Sequence, residues 1–137
     1  MSGARSLIRS RCPLHLQPSS QNGPTLPRVD EAIPVLRVAN AEAALRWYEA
    51  LGYVKEWEHQ FEPGLPWFVS ISRPSGARLY LSEHAGDATP DTLVHLVVDD
   101  LDDLAAAVGQ PLRTQPWGRE LQLTDPDGNR LRVGEPA

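Results

Sequence analysis

The sequence has few of the features that would assign it to a specialised class of protein. Its 137 residues include one cysteine, Cys12, so no disulfide can form within the chain. No apolar run approaches the roughly 18 to 20 residues that span a bilayer, and the first residues lack the apolar core of a secretory signal. Cations are not in excess, since the formal net charge is −5, which argues against nucleic acid or a membrane surface as partner. We expect a cytoplasmic protein that binds neither.

Length and composition predict one folded domain behind a tail. A hydrophobic content of 41% in 137 residues is enough for one core but hardly for two. Residues 1–30 are rich in Ser, Arg, Pro, Gln and Gly and have almost no periodic apolar pattern. Such a segment buries too little apolar surface to offset the entropy of ordering it. We therefore expect a disordered tail over residues 1–30 and one domain over residues 31–137.

The first half of that domain has the pattern of a strand, a helix and three strands. Residues 33–38 alternate as a strand, with Pro34 near its start, where the missing N–H is tolerated. Asn40 is a suitable N-cap for a helix whose apolar stripe ends at Gly52. Three further apolar, alternating segments, separated by Pro- and Gly-containing turns, predict strands at residues 53–61, 66–73 and 77–84.

The second half repeats this order. Residues 92–98 predict a strand, Asp99 and Asp100 cap a short helix that ends at Gly109, and residues 115–133 predict a hairpin. The corner at residues 98–100 lies sixty positions after the corner at residues 38–40. Two copies of one βαβββ unit explain this order most economically. The expected fold is α+β, with module one at residues 32–86 and module two at residues 92–135.

Alternation along the strands sorts their side chains onto two faces. The helix-facing set is apolar and comprises Leu36, Val38, Val69, Ile71, Leu79, Leu81, Val94, Leu96, Val98, Leu121, Leu123, Leu131 and Val133. The opposite set mixes aromatic, hydroxyl and charged side chains, namely Arg37, Phe68, Ser70, Ser72, Tyr80, Ser82, His95, Glu120, Gln122, Arg130 and Arg132. Such a mixture is typical of a binding cup, and a solvated sheet face is the alternative.

Several segments together resemble the vicinal oxygen chelate superfamily, which contains the glyoxalases and the bleomycin-resistance proteins. They are IPVLRV, ALRWYEALGY, SISRPSGARLYLSEH, TLVHLVVDDLDDL and QPWGRELQLTDPDGNRLRVGE. Within the superfamily, the sequence is most similar to the bleomycin-resistance type. The resemblance implies that two βαβββ modules form a curled mixed-sheet cup and that the chain is a homodimer. A proline at the position of Pro34 implies exchange of the N-terminal strand between subunits.

The positions that hold metal ligands in metal-dependent relatives fall on unsuitable residues here. Two of them fall on Ile33 and Leu93, whose side chains have no lone pair, and a third falls on Arg132, which stays protonated. The fourth lies near residues 80–83, where Glu83 offers one carboxylate. The resemblance therefore implies a protein with no metal and no cofactor, and a binding protein rather than an enzyme.

The implied function is sequestration of a bleomycin-like antibiotic or another aromatic small molecule in a dimer cleft. No catalytic residue is expected, and the expected ligand-binding residues are Trp117, Gly118, Glu120, Trp67, Phe68, Phe61, Tyr80, His95 and Arg132. Aromatic rings would stack on the ligand, and Glu120 would meet its cationic part. The alternatives are a glyoxalase- or dioxygenase-superfamily enzyme with an atypical active site at Glu120 and His95, or a ligand-free structural dimer.

Overall fold

A computed structural model describes residues 30–136, which form two modules of the same element order. Module one contains β1 (Val35–Arg37), α1 (Ala41–Glu49), β2 (Val54–His59), β3 (Phe68–Ser72) and β4 (Arg78–Ser82). Module two contains β5 (Leu93–Val97), α2 (Leu101–Val108), β6 (Arg113–Gln115), β7 (Gly118–Thr124) and β8 (Arg130–Gly134). The expected α+β fold of two βαβββ modules is confirmed. The tail expected at residues 1–30 lies outside the described residues, apart from Asp30.

The two four-stranded sheets have the same strand order. Sheet one runs β1-β4-β3-β2 and sheet two runs β5-β8-β7-β6. In each, the first strand of the module pairs in parallel with the last, and the other pairs are antiparallel. The registers match position for position, so Tyr80 on β4 corresponds to Arg132 on β8, and Phe68 on β3 corresponds to Glu120 on β7.

The two helices begin and end where their local chemistry requires. Asn40 caps α1, because its Oδ1 accepts a hydrogen bond of 2.9 Å from the Ala43 N–H. After α1, Gly52 has a φ of +89°, a conformation that other residues rarely adopt. Asp100 stands at the N-cap of α2 but makes no side-chain cap bond, because its carboxylate binds Arg73 instead. Neither helix is long and apolar enough to cross a membrane.

The core consists of the helix-facing strand residues together with the apolar sides of α1 and α2. All thirteen helix-facing residues expected from alternation are buried, with exposures of 9% or less. Tyr48 and Tyr53 are buried among them, and their rings meet edge to face with centroids 5.7 Å apart. The opposite face of each sheet stays outside this core, and we call it the open face.

A buried carboxylate joins module two to module one. Asp125, in the turn between β7 and β8, accepts hydrogen bonds from the Tyr48 hydroxyl, from the backbone N–H groups of Asp127 and Asn129, and from the Asn129 side-chain amide. The same amide donates to the backbone oxygen of Arg37 at 3.0 Å. The turn at residues 125–129 therefore closes a hairpin and also attaches it to the other module.

A second contact mirrors the first. Asp127 accepts a hydrogen bond of 2.8 Å from the N–H of Ala39, which lies at the corner between β1 and α1. In return, Arg73, at the turn after β3, forms an ion pair of 2.8 Å with Asp100 at the corner between β5 and α2. Each module thus places its last hairpin turn against the strand-helix corner of the other.

The two neighbouring tyrosines provide a matched test of this attachment. Tyr48→Phe removes the buried hydroxyl that donates to Asp125, so we expect the free energy of unfolding to fall by about 1–3 kcal/mol. Tyr53→Phe is the control, because the Tyr53 hydroxyl has no hydrogen-bond partner among residues 30–136. It should leave stability unchanged or slightly raised. Urea unfolding of both variants measures this, and equal losses would contradict the assignment.

Candidate functional site

The open face of sheet one carries an aromatic cluster formed by Trp57, Phe68 and Tyr80. Trp57 and Phe68 stack with ring centroids 5.9 Å apart, and Tyr80 lies 5.0 Å from Phe68 and 5.5 Å from Trp57. All three are half-buried, so the cluster offers apolar surface to a ligand or partner. Phe68 and Tyr80 were expected on this face and Trp57 was not.

An irregularity in β2 explains why Trp57 was missed. The pairing of β2 with β3 shifts register between Lys55 and Trp57, so simple alternation fails along this strand. The shift also brings Glu56 to Ser70, whose hydroxyl donates to its carboxylate at 2.7 Å. Arg78 donates to the same carboxylate, and that hydrogen bond is the main reason why the pKa of Glu56 is lowered. The imperfect alternation of residues 53–61 was the only signal of this arrangement in the sequence.

Phe61 lies at the edge of the open face of sheet one. Its ring is 59% exposed, and it meets His59 edge to face with centroids 4.3 Å apart. The His84 ring also meets it edge to face, with centroids 6.2 Å apart. Since His59 pairs with Phe68 in the sheet, Phe61 extends the aromatic surface toward the loop between β2 and β3.

Trp67 lies on the other side of sheet one. Its ring packs against the core, and it lines an outer groove of about 360 Å³ together with Leu45 of α1. Glu83 fixes this region, because its carboxylate accepts hydrogen bonds from the backbone N–H groups of Trp67 and Ala41. Trp67 and Phe68 therefore lie on opposite sides of sheet one, as adjacent residues of an extended chain do. The Glu83 carboxylate is engaged in backbone hydrogen bonds.

Most of the remaining expected site residues meet on the open face of sheet two. His95, Trp117, Gly118 and Glu120 line one cavity of about 320 Å³. Arg132 is opposite His95 on one side and opposite Gln122 on the other, so it lies next to this cavity along β8. Gly134 forms part of the cavity wall, and the absence of a side chain there leaves space beside the His95 imidazole.

Trp117 and Glu120 form the centre of this site. Pro116 and Trp117 make a two-residue turn between β6 and β7, and Gly118 follows with a φ of +136°. The indole is 67% exposed, yet its Nε1–H donates to Glu120 at 3.3 Å. The turn and this hydrogen bond hold a large aromatic surface at the cavity mouth.

Glu120 is a buried anion. Its side chain is 1% exposed, and Gln122 donates a hydrogen bond of 2.8 Å to its other carboxylate oxygen. The bond from Gln122, then the bond from Trp117, then the charges of Arg132 and His95 lower the pKa of Glu120. Glu120 is therefore ionised at neutral pH, and its oxygens retain lone pairs that could accept a hydrogen bond from a ligand.

The described residues contain no group of three His, Cys, Asp or Glu side chains that could hold a metal ion. Leu93 is the first residue of β5, and Ile33 lies two residues before β1. Pro34 lies directly before β1, and its carbonyl accepts a hydrogen bond from Tyr80 of the same chain at 2.9 Å. Strand exchange at Pro34 therefore stays a prediction.

The architecture and the comparisons with known proteins agree on the family. The family described as glyoxalase superfamily protein matches residues 21–137, so the chain belongs to the glyoxalase superfamily. No curated protein matches the sequence.

Several solved structures share the fold. A bleomycin-binding protein complexed with bleomycin is 21% identical, with a TM-score of 0.63 over 80% of this chain and 100% of the other. The bleomycin-binding protein of Streptomyces verticillus, complexed with copper(II)-bleomycin, is 24% identical, with a TM-score of 0.61 over 82% and 100%. An antibiotic-binding protein from a Streptomyces species is 19% identical, with a TM-score of 0.62 over 80% and 99%. At these identities, the likeness shows the fold.

The hydrogen bonds to Glu120 predict a pH-dependent contribution to stability. Glu120→Gln leaves one acceptor oxygen for two donors, so we expect a lower Tm at neutral pH. Because the folded pKa lies below the ordinary value of 4.5, the wild-type advantage is fully present above pH 4.5. It is then lost as the pH falls through the folded pKa.

Thermal unfolding of wild type and variant between pH 7 and pH 3 measures this difference. Glu62→Gln, at an exposed position, is the matched control and should follow the wild type throughout. A Tm difference for Glu120→Gln that stays constant down to pH 3 would contradict the lowered pKa.

Proposed function

We propose that this protein is a metal-free binding protein that sequesters a bleomycin-like antibiotic or another aromatic small molecule. One observation carries the proposal: an exposed indole, Trp117, is fixed by an ionised and buried carboxylate, Glu120, at the mouth of a cavity. An exposed aromatic surface beside a few fixed polar groups is the usual composition of a small-molecule site. The ligands of the similar solved structures, bleomycin and an antibiotic, agree with this class of ligand.

Binding would use two interactions of different kinds. A flat heteroaromatic part of the ligand stacks on the Trp117 indole, which needs no rearrangement because the turn and the hydrogen bond to Glu120 already orient it. A cationic or N–H group of the ligand donates to the remaining lone pairs of Glu120. No bond is broken, so the protein acts stoichiometrically and protects by lowering the concentration of free ligand.

The proposal includes a homodimer that completes the site. The corresponding open faces differ in chemistry: sheet one offers Phe68 and Tyr80 where sheet two offers Glu120 and Arg132. A cleft between sheet one of one subunit and sheet two of the other would enclose a ligand between an aromatic wall and a polar wall. Sedimentation equilibrium tests this arrangement. A measured mass of 15.1 kDa, that of one chain, would contradict the dimer and the cleft between its subunits.

Titration of intrinsic tryptophan fluorescence with metal-free bleomycin tests the proposed function. We expect a saturable change in emission, because the ligand covers the exposed Trp117 indole. Trp117→Phe should lose most of this change and weaken binding several-fold. Trp67→Phe is the matched control, because Trp67 lies on the helix side of sheet one, and it should retain both.

Protection of DNA from bleomycin cleavage gives an independent readout in the same samples. The wild type and Trp67→Phe should protect at stoichiometric concentrations, and Trp117→Phe should protect less. Unchanged fluorescence and unprotected DNA at high micromolar bleomycin would eliminate this ligand. Equal effects of the two tryptophan substitutions would place binding elsewhere.

A further inference from the structure

Sheet two also carries a cation that no side chain of the described region neutralises. Arg132 is half-buried at the centre of the open face and forms no ion pair or hydrogen bond with any of residues 30–136. Its charge is felt by Glu120, although the two are not an ion pair. The guanidinium of Arg132 presents donors that residues 30–136 do not use, so it can bind an acceptor group of a ligand.

The neighbouring arginines are in a different situation. Arg78, on the corresponding strand of sheet one, is paired with both Glu56 and Glu31. Arg130, two residues before Arg132 on β8, lies 3.5 Å from Asp91. Arg119 is held by Asp102 and Glu135. Arg113, on the edge strand β6, also has no ion pair among residues 30–136, but its side chain is exposed to solvent. Arg132 is therefore the half-buried arginine of sheet two that the described residues leave unpaired.

The groups around Arg132 support recognition of an anion. His95 and Gln122 flank it on the two neighbouring strands, and the described residues supply no hydrogen-bond partner to the His95 ring. Glu120, the carboxylate that feels the charge of Arg132, already accepts hydrogen bonds from Gln122 and Trp117. A planar guanidinium with an imidazole at its side matches the two oxygens of a carboxylate, which Arg binds in a bidentate manner.

The spacing connects this group to the cavity. Gly134 lies opposite Glu120 in the cavity, and Arg132 lies opposite Gln122, two residues along the same pair of strands. Two residues of antiparallel strand correspond to about 7 Å. A two-ring aromatic ligand that occupies the cavity beside Trp117 can therefore present a carboxylate to Arg132.

We propose that Arg132, with His95 beside it, is a carboxylate-binding subsite, and that the preferred ligands are aromatic acids. This inference rests on the proposed small-molecule function of the same face. It differs from recognition of a purely cationic drug, because it requires an anionic group on the ligand.

Isothermal titration calorimetry with 1-naphthoate and its neutral counterpart 1-naphthamide tests the subsite. The wild type should bind the carboxylate about tenfold more tightly than the amide, as expected for a charge-assisted pair at a half-buried site. Arg132→Gln should bind both probes equally, and Arg132→Lys should keep part of the preference because it retains the charge but not the fork. Arg130→Gln, which removes the same charge from the same strand, should bind the two probes as the wild type does.

The outcomes separate the subsite from the proposed function. Equal binding of both probes by the wild type, or an unchanged preference in Arg132→Gln, would overturn the subsite while leaving aromatic binding intact. If Arg130→Gln lost as much of the preference for the carboxylate probe as Arg132→Gln, the preference would come from the overall charge of the protein. That result would also overturn the subsite. No binding of either probe at millimolar concentration would overturn the subsite, whereas the small-molecule function is decided separately by the titration with bleomycin. The Tm of each variant, measured in the same buffer, confirms that the comparison is between folded proteins.

Discussion

The arrangement of the site depends on the hydrogen bonds that the Asp125 carboxylate accepts. Asp125 is 5% exposed and accepts four hydrogen bonds, three of them from its own turn and one from Tyr48 of module one. Because β7 ends and β8 begins at this turn, Asp125 fixes the hairpin that carries Glu120, Gln122 and Arg132. Burial and the neighbouring Asp125 charge raise the pKa of Tyr48, so its hydroxyl stays protonated and keeps donating at any physiological pH.

The repetition of one module gives two sheets with the same geometry and different surfaces. Phe68 of sheet one occupies the position that Glu120 occupies in sheet two, and Tyr80 occupies the position of Arg132. The apolar cores under the two sheets are alike, because both are built from alternating aliphatic residues, mostly Leu and Val. The fold therefore constrains one face of each strand and leaves the other free to acquire binding chemistry.

Much of this structure could be predicted from the sequence, because local rules govern it. Strict alternation in β3, β4, β5, β7 and β8 identified the buried residues. Asn40 identified the start of α1 and Gly109 the end of α2, whereas α1 ends at Glu49, before the expected Gly52. The grouping of Trp117, Gly118, Glu120 and His95 followed from the same alternation and from the family resemblance.

The remaining features depend on contacts between distant parts of the chain. The bulge in β2, which places Trp57 in the aromatic cluster and Glu56 on Arg78, appears only when β2 pairs with β3. Trp67 is not one of these features, because it lies two residues before Val69 and alternation along the strand predicted at residues 66–73 already assigns it to the helix side. The turn at residues 125–129 is also attached to Tyr48 by a hydrogen bond from the Tyr48 hydroxyl to Asp125. This bond joins residues 77 positions apart, so no local sequence pattern predicts it.

The proposed function makes the open face of sheet two the ligand-binding wall. Two-dimensional ¹H–¹⁵N NMR of the labelled protein during addition of metal-free bleomycin tests it most directly, because the indole and side-chain amide N–H groups report their own surroundings. Binding at this wall predicts shifts of the Trp117 indole and the Gln122 amide, with the Trp67 indole unchanged. Shifts confined to Trp67 and the Asn40 amide, in the outer groove beside α1, would contradict the claim.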